Sequence, residues 1–163
     1  MEKIKVGVLG AGTMGAGIAQ VASTAGHQVV LVDVNEKAIE KAKNNLQKIM
    51  HRLVEKGKWT SDFANDCFGR IHFTSDIKTF ENSGIIIEAI VENIEIKHAV
   101  FKQLEEIVDN NCILASNTSS LSIASIGSVL KEPSRVIGIH FFNPAPLMPL
   151  VEVIPAVQTI EET

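Results

Sequence analysis

Near its start the chain reads Gly10-Ala11-Gly12-Thr13-Met14-Gly15, three glycines in G-x-G-x-x-G spacing, and eighteen residues beyond Gly15 stands an acid, Asp33. Such spacing suits a phosphate cradle. Gly10 allows a tight turn, Gly12 lets a pyrophosphate approach the backbone, and Gly15 lets a helix pack close to the preceding strand. Thr13 and Met14 stand where the turn opens a helix, whose N-terminus offers free amides and a partial positive charge to an anion. Asp33 can accept hydrogen bonds from both hydroxyls of an adenosine ribose, and its charge repels a 2′-phosphate, so NAD is favoured over NADP. FAD uses the same fingerprint, but the further flavin-contact segments of such domains are not found here. The plainer account of these residues is a sharp strand-to-helix turn with Asp33 capping a loop.

Three later clusters carry groups able to move protons. Glu92-Asn93 follows one apolar run, Ser116-Asn117-Thr118-Ser119-Ser120 follows a second, and His140 ends a third, ahead of Asn143-Pro144. In open parallel sheets ligands gather at the carboxyl ends of strands, which is where these clusters fall. A histidine there can serve as general base, because its ordinary pKa near 6.5 lets it take a proton at neutral pH. Oxidising an alcohol by hydride transfer needs such a base, and Glu152 on the next apolar run could hold the imidazole. His27, His51, His72 and His98 lie in a turn, on helices or in a short strand. By setting alone, a core histidine satisfied by backbone is the simpler account of His140.

The elements that must position these groups follow from hydrophobic periodicity. Ile4, Val6 and Val8 alternate and predict a strand ending at Gly10, then a helix from about Met14 to Ala25. Val29–Val32 forms a second strand, ended by Asp33. The next helix runs from near Glu36 to about Lys56, with Ile39, Ala42, Leu46, Ile49, Met50 and Leu53 on one face. Further strands are expected at Ile71–Phe73, Ile85–Ala89, Ile113–Ala115, Val136–Phe141 and Val151–Ile154, with a helix from about Glu95 to Val108. Strands alternating with helices imply an α/β fold, a doubly wound, mostly parallel sheet in three α/β/α layers. Pro144, Pro146, Pro149 and Pro155 hold the last stretch mostly extended. Thr159 and Glu162 match the T-x-x-E capping box, which predicts a helix starting there and a chain that continues into another domain.

At 163 residues, 45% hydrophobic and 21% charged, the chain has the size of one domain able to bury a core, which excludes a disordered segment. A net charge of -4 gives no general drive toward nucleic acid or an anionic membrane. Cys67 and Cys112 lack metal-ligand spacing and read as reduced core residues, so no metal is expected. The N-terminus lacks an apolar signal region, and Gly84–Val91 is interrupted by Glu88 and far shorter than the roughly 20 residues of a membrane span. A cytoplasmic enzyme or binding module is expected.

These blocks together resemble the NAD-binding domain of the short-chain L-3-hydroxyacyl-CoA dehydrogenases, the bacterial 3-hydroxybutyryl-CoA dehydrogenases in particular. The resemblance runs through Gly10–Gly17, Val32-Asp33, Glu88-Ala89 to Glu92-Asn93, Ala115–Leu121, His140-Phe141-Phe142-Asn143-Pro144 and Leu150-Val151-Glu152-Val153. It implies a Rossmann domain over residues 1–163, with a helical substrate and dimerisation domain to follow. It further implies that His140 is the catalytic base, Glu152 its carboxylate partner, and Ser119 a residue between substrate hydroxyl and nicotinamide. Asn143 would contact the cofactor and lie by the substrate. Asp33, Ala89, Glu92, Lys97 and Asn117 would line the NAD groove. Pro149 departs from the lysine many relatives carry. The cations Lys48, Arg52, Lys56 and Lys58, with His51 among them, could meet the phosphates of an acyl-CoA or could be a solvated face. The rival class is a noncatalytic dinucleotide binder or structural relative on the same scaffold.

Overall fold

The computed structural model describes residues 3–163; Met1 and Glu2, the start of the segment read as lacking a signal, lie outside them. The strands are β1 (Lys5–Leu9), β2 (Gln28–Val32), β3 (Ile71–Thr74), β4 (Ile85–Glu88), β5 (Ile113–Ser116), β6 (Val136–Phe141) and β7 (Val151–Pro155). The helices are α1 (Thr13–Thr24), α2 (Glu36–Glu55), α3 (Ser61–Gly69), α4 (Ile94–Ile107) and α5 (Ile123–Gly127). One seven-stranded sheet runs in the order β3-β2-β1-β4-β5-β6-β7. The chain reverses direction of growth between β1 and β4, so a crevice opens there at the strands' carboxyl ends, beside the glycine turn.

Alternation along each strand feeds two separate cores. Val6, Val8, Val29, Leu31 and Ile87 face α1, α2 and α3, packing with Ile18, Leu46 and Met50. Leu9, Val30, Val32 and Ile86 face the other way, onto Phe101 and Leu104 of α4 and Ile126 of α5. Burying both faces explains why the strands read as nearly continuous apolar runs. Each fully buried side chain of this size contributes about 1.5–3 kcal/mol. Both cysteines are free and buried, and burial pushes the Cys112 thiol up to about 11.

Two features of the last segment matter: one is the antiparallel minority of the mostly parallel sheet, the other departs from the sequence reading. First, β7 runs antiparallel to β6, with His140 opposite Glu152 and Phe141 opposite Val151. No crossover helix separates them, and a short connection can only return the chain antiparallel. Second, no helix begins at Thr159 among the described residues. The Thr159 hydroxyl accepts from the Ala156 amide at 2.8 Å and donates to the Val136 carbonyl at 2.6 Å, so it tethers the segment after β7 to β6 instead of capping. The periodicity also passed over α3 and α5, both shorter than the three-turn stretch that makes a pattern legible; Thr60 and Ser122 cap them. No helix among the described residues is long and apolar enough to cross a membrane, and none of their His, Cys, Asp and Glu form a group of three or more able to hold a metal ion.

Glu105 anchors the turn before β6. Its two oxygens each accept a backbone amide at 3.0 Å, from Lys131 and Glu132, and Arg135 lies 3.7 Å away. Burial alone would raise its carboxyl, but those amides and the guanidinium outweigh it and hold the group below its ordinary value. A carboxyl lowered by folding contributes stability above its unfolded pKa of about 4.3 and loses it as pH falls through the lower folded value. Glu105→Gln should therefore destabilise by about 1 kcal/mol or more at pH 7, with the difference shrinking toward pH 3 in urea melts. A gap that persists unchanged at pH 3 would contradict this.

Candidate dinucleotide and proton-transfer site

The glycine turn connects β1 to α1. The Gly10 amide donates to the Val32 carbonyl at 2.7 Å, and its φ of +107° is a conformation that residues with side chains avoid. A Cβ on Gly15 would lie 1.8 Å from the Gly10 carbonyl oxygen, whereas one on Gly12 would meet nothing within 4 Å. Packing therefore requires Gly15, while Gly12 leaves open space before α1. That helix has no side-chain cap and no acid in its first turn, while Asn35, Thr60, Asn93 and Ser122 cap the other four. Unsatisfied amides, an open glycine and no competing carboxylate fit a pyrophosphate.

Asp33 sits just past β2, and its two oxygens already accept backbone amides, Oδ2 from Ala11 at 2.7 Å and Oδ1 from Asn35 at 2.9 Å. The carboxylate therefore ties the glycine turn to β2 and leaves its remaining lone pairs for a ribose. Asp33→Ser should cost NAD at least about tenfold in affinity, the worth of hydrogen bonds to a charged group. NADP should gain, yet stay weaker than NAD is on the parent, because the glycine turn loses its tether. Titrating both dinucleotides by NAD(P)H fluorescence checks this; equal binding of NAD to parent and variant would sink it.

At the carboxyl ends of β4, β5 and β6 lies a cavity of about 340 Å³, lined by Met14, Ala89, Glu92, Asn117, Ser119, His140 and Asn143, among others. All seven were expected around a dinucleotide site, Met14 at the glycine turn and the other six in the cofactor groove or beside the substrate. His140 Nδ1 lies 2.8 Å from Glu152 Oε2, and the His140 side chain is 18% exposed. A carboxylate at Nδ1 takes the proton on that nitrogen, which leaves the Nε2 lone pair free to accept one. The Phe142 ring lies 4.7 Å from the imidazole, centroid to centroid, and fixes its tilt. Ser119, exposed, lines the same cavity. Asn117 adds something the sequence did not suggest: its Oδ1 accepts the Phe141 amide at 2.8 Å and so pins the strand end that carries His140.

Part of the cavity wall is a buried polar network. Glu88 and Lys97, 0% and 1% exposed, pair at 2.6 Å, and Lys97 is 3.6 Å from Glu92. Lys97, expected to meet the cofactor, lines the cavity with its ammonium held by Glu88. Glu88 was missed as a functional candidate. The available signal was a lone carboxylate inside Ile85-Ile86-Ile87-Glu88-Ala89-Ile90, where a buried charge demands a partner.

Lys56, which caps the C-terminus of α2, lies outside this cavity. With Arg52 and Lys58 it lines a separate groove of about 660 Å³ floored by Trp59, Pro146 and Leu147. Lys48 and His51 do not line that groove; His51 instead faces Glu55 at 3.5 Å. Of the five basic residues grouped by sequence, three share one surface.

A doubly wound sheet, a glycine turn opening a helix and an acid after β2 define a Rossmann dinucleotide-binding domain, with a histidine–carboxylate pair at its crevice. Residues 5–163 match the family model described as 3-hydroxyacyl-CoA dehydrogenase, NAD binding domain, and the chain belongs to that family. It is 48% identical over 160 residues to a probable 3-hydroxybutyryl-CoA dehydrogenase of Deinococcus radiodurans, covering 98% of this chain and 57% of the relative. A Bacillus subtilis protein of the same description is 47% identical over 163 residues, covering 100% and 57%. The crystal structure of 3-hydroxybutyryl-CoA dehydrogenase from Escherichia coli superposes with a TM-score of 0.97 at 41% identity, over 99% of this chain and 34% of that one. The chain thus spans a little over half the length of the first two relatives.

Proposed function

We propose that this chain is the cofactor half of an enzyme that reversibly oxidises (S)-3-hydroxyacyl-CoA, 3-hydroxybutyryl-CoA above all, to the 3-ketoacyl-CoA, within fatty-acid or butyrate metabolism. The observation that carries the reading is the 2.8 Å pair of His140 and Glu152, whose imidazole lines the same cavity as Ser119 beside the glycine turn. NAD, when bound, supplies the hydride acceptor. Gly12 and the first amides of α1 would hold its pyrophosphate and Asp33 its ribose, while Asn143 and Glu92 would contact other parts of it. Ser119 Oγ orients the substrate hydroxyl. His140 Nε2 accepts its proton, and Glu152 stabilises the resulting imidazolium; in reduction the imidazolium returns the proton to the 3-keto oxygen.

A noncatalytic binder has no use for a carboxylate-held base and a hydroxyl lining one cavity, which favours the enzyme. The groove of Arg52, Lys56 and Lys58 offers cations to the phosphates of the coenzyme A end, with apolar walls for its adenine. The rest of the polypeptide, expected to be helical, would close the cleft and carry a dimer interface, in a cytoplasmic enzyme. NADH oxidation on adding acetoacetyl-CoA to the full-length protein tests the reading. A full-length protein that binds NAD yet shows no such turnover would leave only the binder.

A further inference from the structure

One carboxylate lining the cavity is itself buried from solvent and hydrogen-bonded on every side. Glu88, 0% exposed at the end of β4, has both oxygens satisfied: Oε1 accepts from Lys97 Nζ at 2.6 Å and from the Ile90 amide at 2.7 Å, and Oε2 accepts from Ser116 Oγ at 2.7 Å. Two routes lead from it to Ser119. Along one, Ser116 Oγ accepts the Thr118 amide at 3.3 Å. Along the other, Lys97 lies 3.6 Å from Glu92, whose oxygens accept Thr118 Oγ1 at 2.9 Å and the Ser119 amide at 3.3 Å. The turn carrying Ser119 is therefore held from two sides by groups that converge on one carboxylate.

Stability does not demand this arrangement, since an apolar pair of equal volume often serves a core as well as a buried ion pair. What charges and hydrogen bonds add is direction. Each of the three donors meets Glu88 at hydrogen-bond length, so Lys97 has one place to sit and Glu92 one place to receive it. The exposed turn after β5 would otherwise be free to drift, and a hydroxyl displaced by about 1 Å from a reacting centre can cost on the order of a hundredfold in rate.

Resting on the proposed reaction, we infer that Glu88 is a positioning residue for it: through Lys97, Glu92 and Ser116 it sets the place of Ser119 over the cavity. The test uses the full-length protein with NADH and acetoacetyl-CoA. Glu88→Gln should lower kcat between about ten- and a hundredfold, more than it raises KM for NADH. Because the effect travels through Ser119, adding Glu88→Gln to Ser119→Ala should change kcat by no more than about twofold beyond Ser119→Ala alone. A purely structural carboxylate would shift the melting temperature and lower kcat equally in both backgrounds. If Glu88→Gln does not fold, Ser116→Ala, which removes one donor and no charge, enters the same cycle with a smaller loss expected. A kcat within about twofold of the parent, or a full loss repeated in the Ser119→Ala background, overturns the inference while leaving the reaction standing. A parent that fails to oxidise NADH overturns both.

Discussion

His140→Gln in the full-length protein should reduce turnover by at least about a hundredfold, with NADH binding close to that of the parent. The magnitude follows from the role: a positioned acid–base group supplies about 10²–10⁴-fold, and glutamine fills the space without exchanging a proton. Binding should persist because the anchors of the dinucleotide, Gly12, the first turn of α1 and Asp33, lie at the other side of the crevice on β1 and β2. Glu152→Gln should act in the same direction, since an amide at 2.8 Å from Nδ1 can accept its proton but cannot balance the imidazolium charge. Steady-state rates with acetoacetyl-CoA, set beside NADH titrations, separate the two effects. A His140→Gln enzyme retaining a tenth or more of the parental kcat would remove the imidazole from the chemistry.

Gly15→Ala should be the most damaging change at the other end of the crevice. The new methyl would stand 1.8 Å from the Gly10 carbonyl oxygen and 2.9 Å from its carbon, both backbone, so α1 must move off β1 or the turn must open. Overpacking of this kind costs about 1–3 kcal/mol, and the displaced helix no longer aims its amides at the phosphates. The expected outcome is a lower melting temperature together with NAD affinity reduced by more than about tenfold, the equivalent of 1.4 kcal/mol. Gly12→Ala is the informative contrast, because a Cβ there meets nothing within 4 Å in the free protein. It should melt like the parent and still bind NAD poorly. Parental affinity in Gly15→Ala, or a large loss of stability in Gly12→Ala, would contradict the division of labour between the two glycines.

The sheet was legible wherever one rule governed a whole element. Runs such as Val29–Val32 and Val136–Phe141 are strands in any context that buries both faces, and α2 shows its stripe over twenty residues. The glycine fingerprint was legible for a different reason: its residues are contiguous and their backbone demands are local. Short elements were not, because α3 and α5 offer too few turns for a period and rely on caps and neighbours.

Residue types and their order along the chain determined that a dinucleotide turn, an acid after β2 and a histidine near a strand end exist in one α/β domain. They could not determine which polar groups meet, since that depends on strand order and register, both set by long-range pairing. Only the antiparallel return of β7 puts Glu152 opposite His140, and only the β4-β5 pairing with α4 packed above it encloses Glu88 with Lys97 and Ser116. Tertiary structure also decided that Thr159 tethers to β6, because a hydroxyl between two backbone groups satisfies both where a nascent helix would satisfy neither.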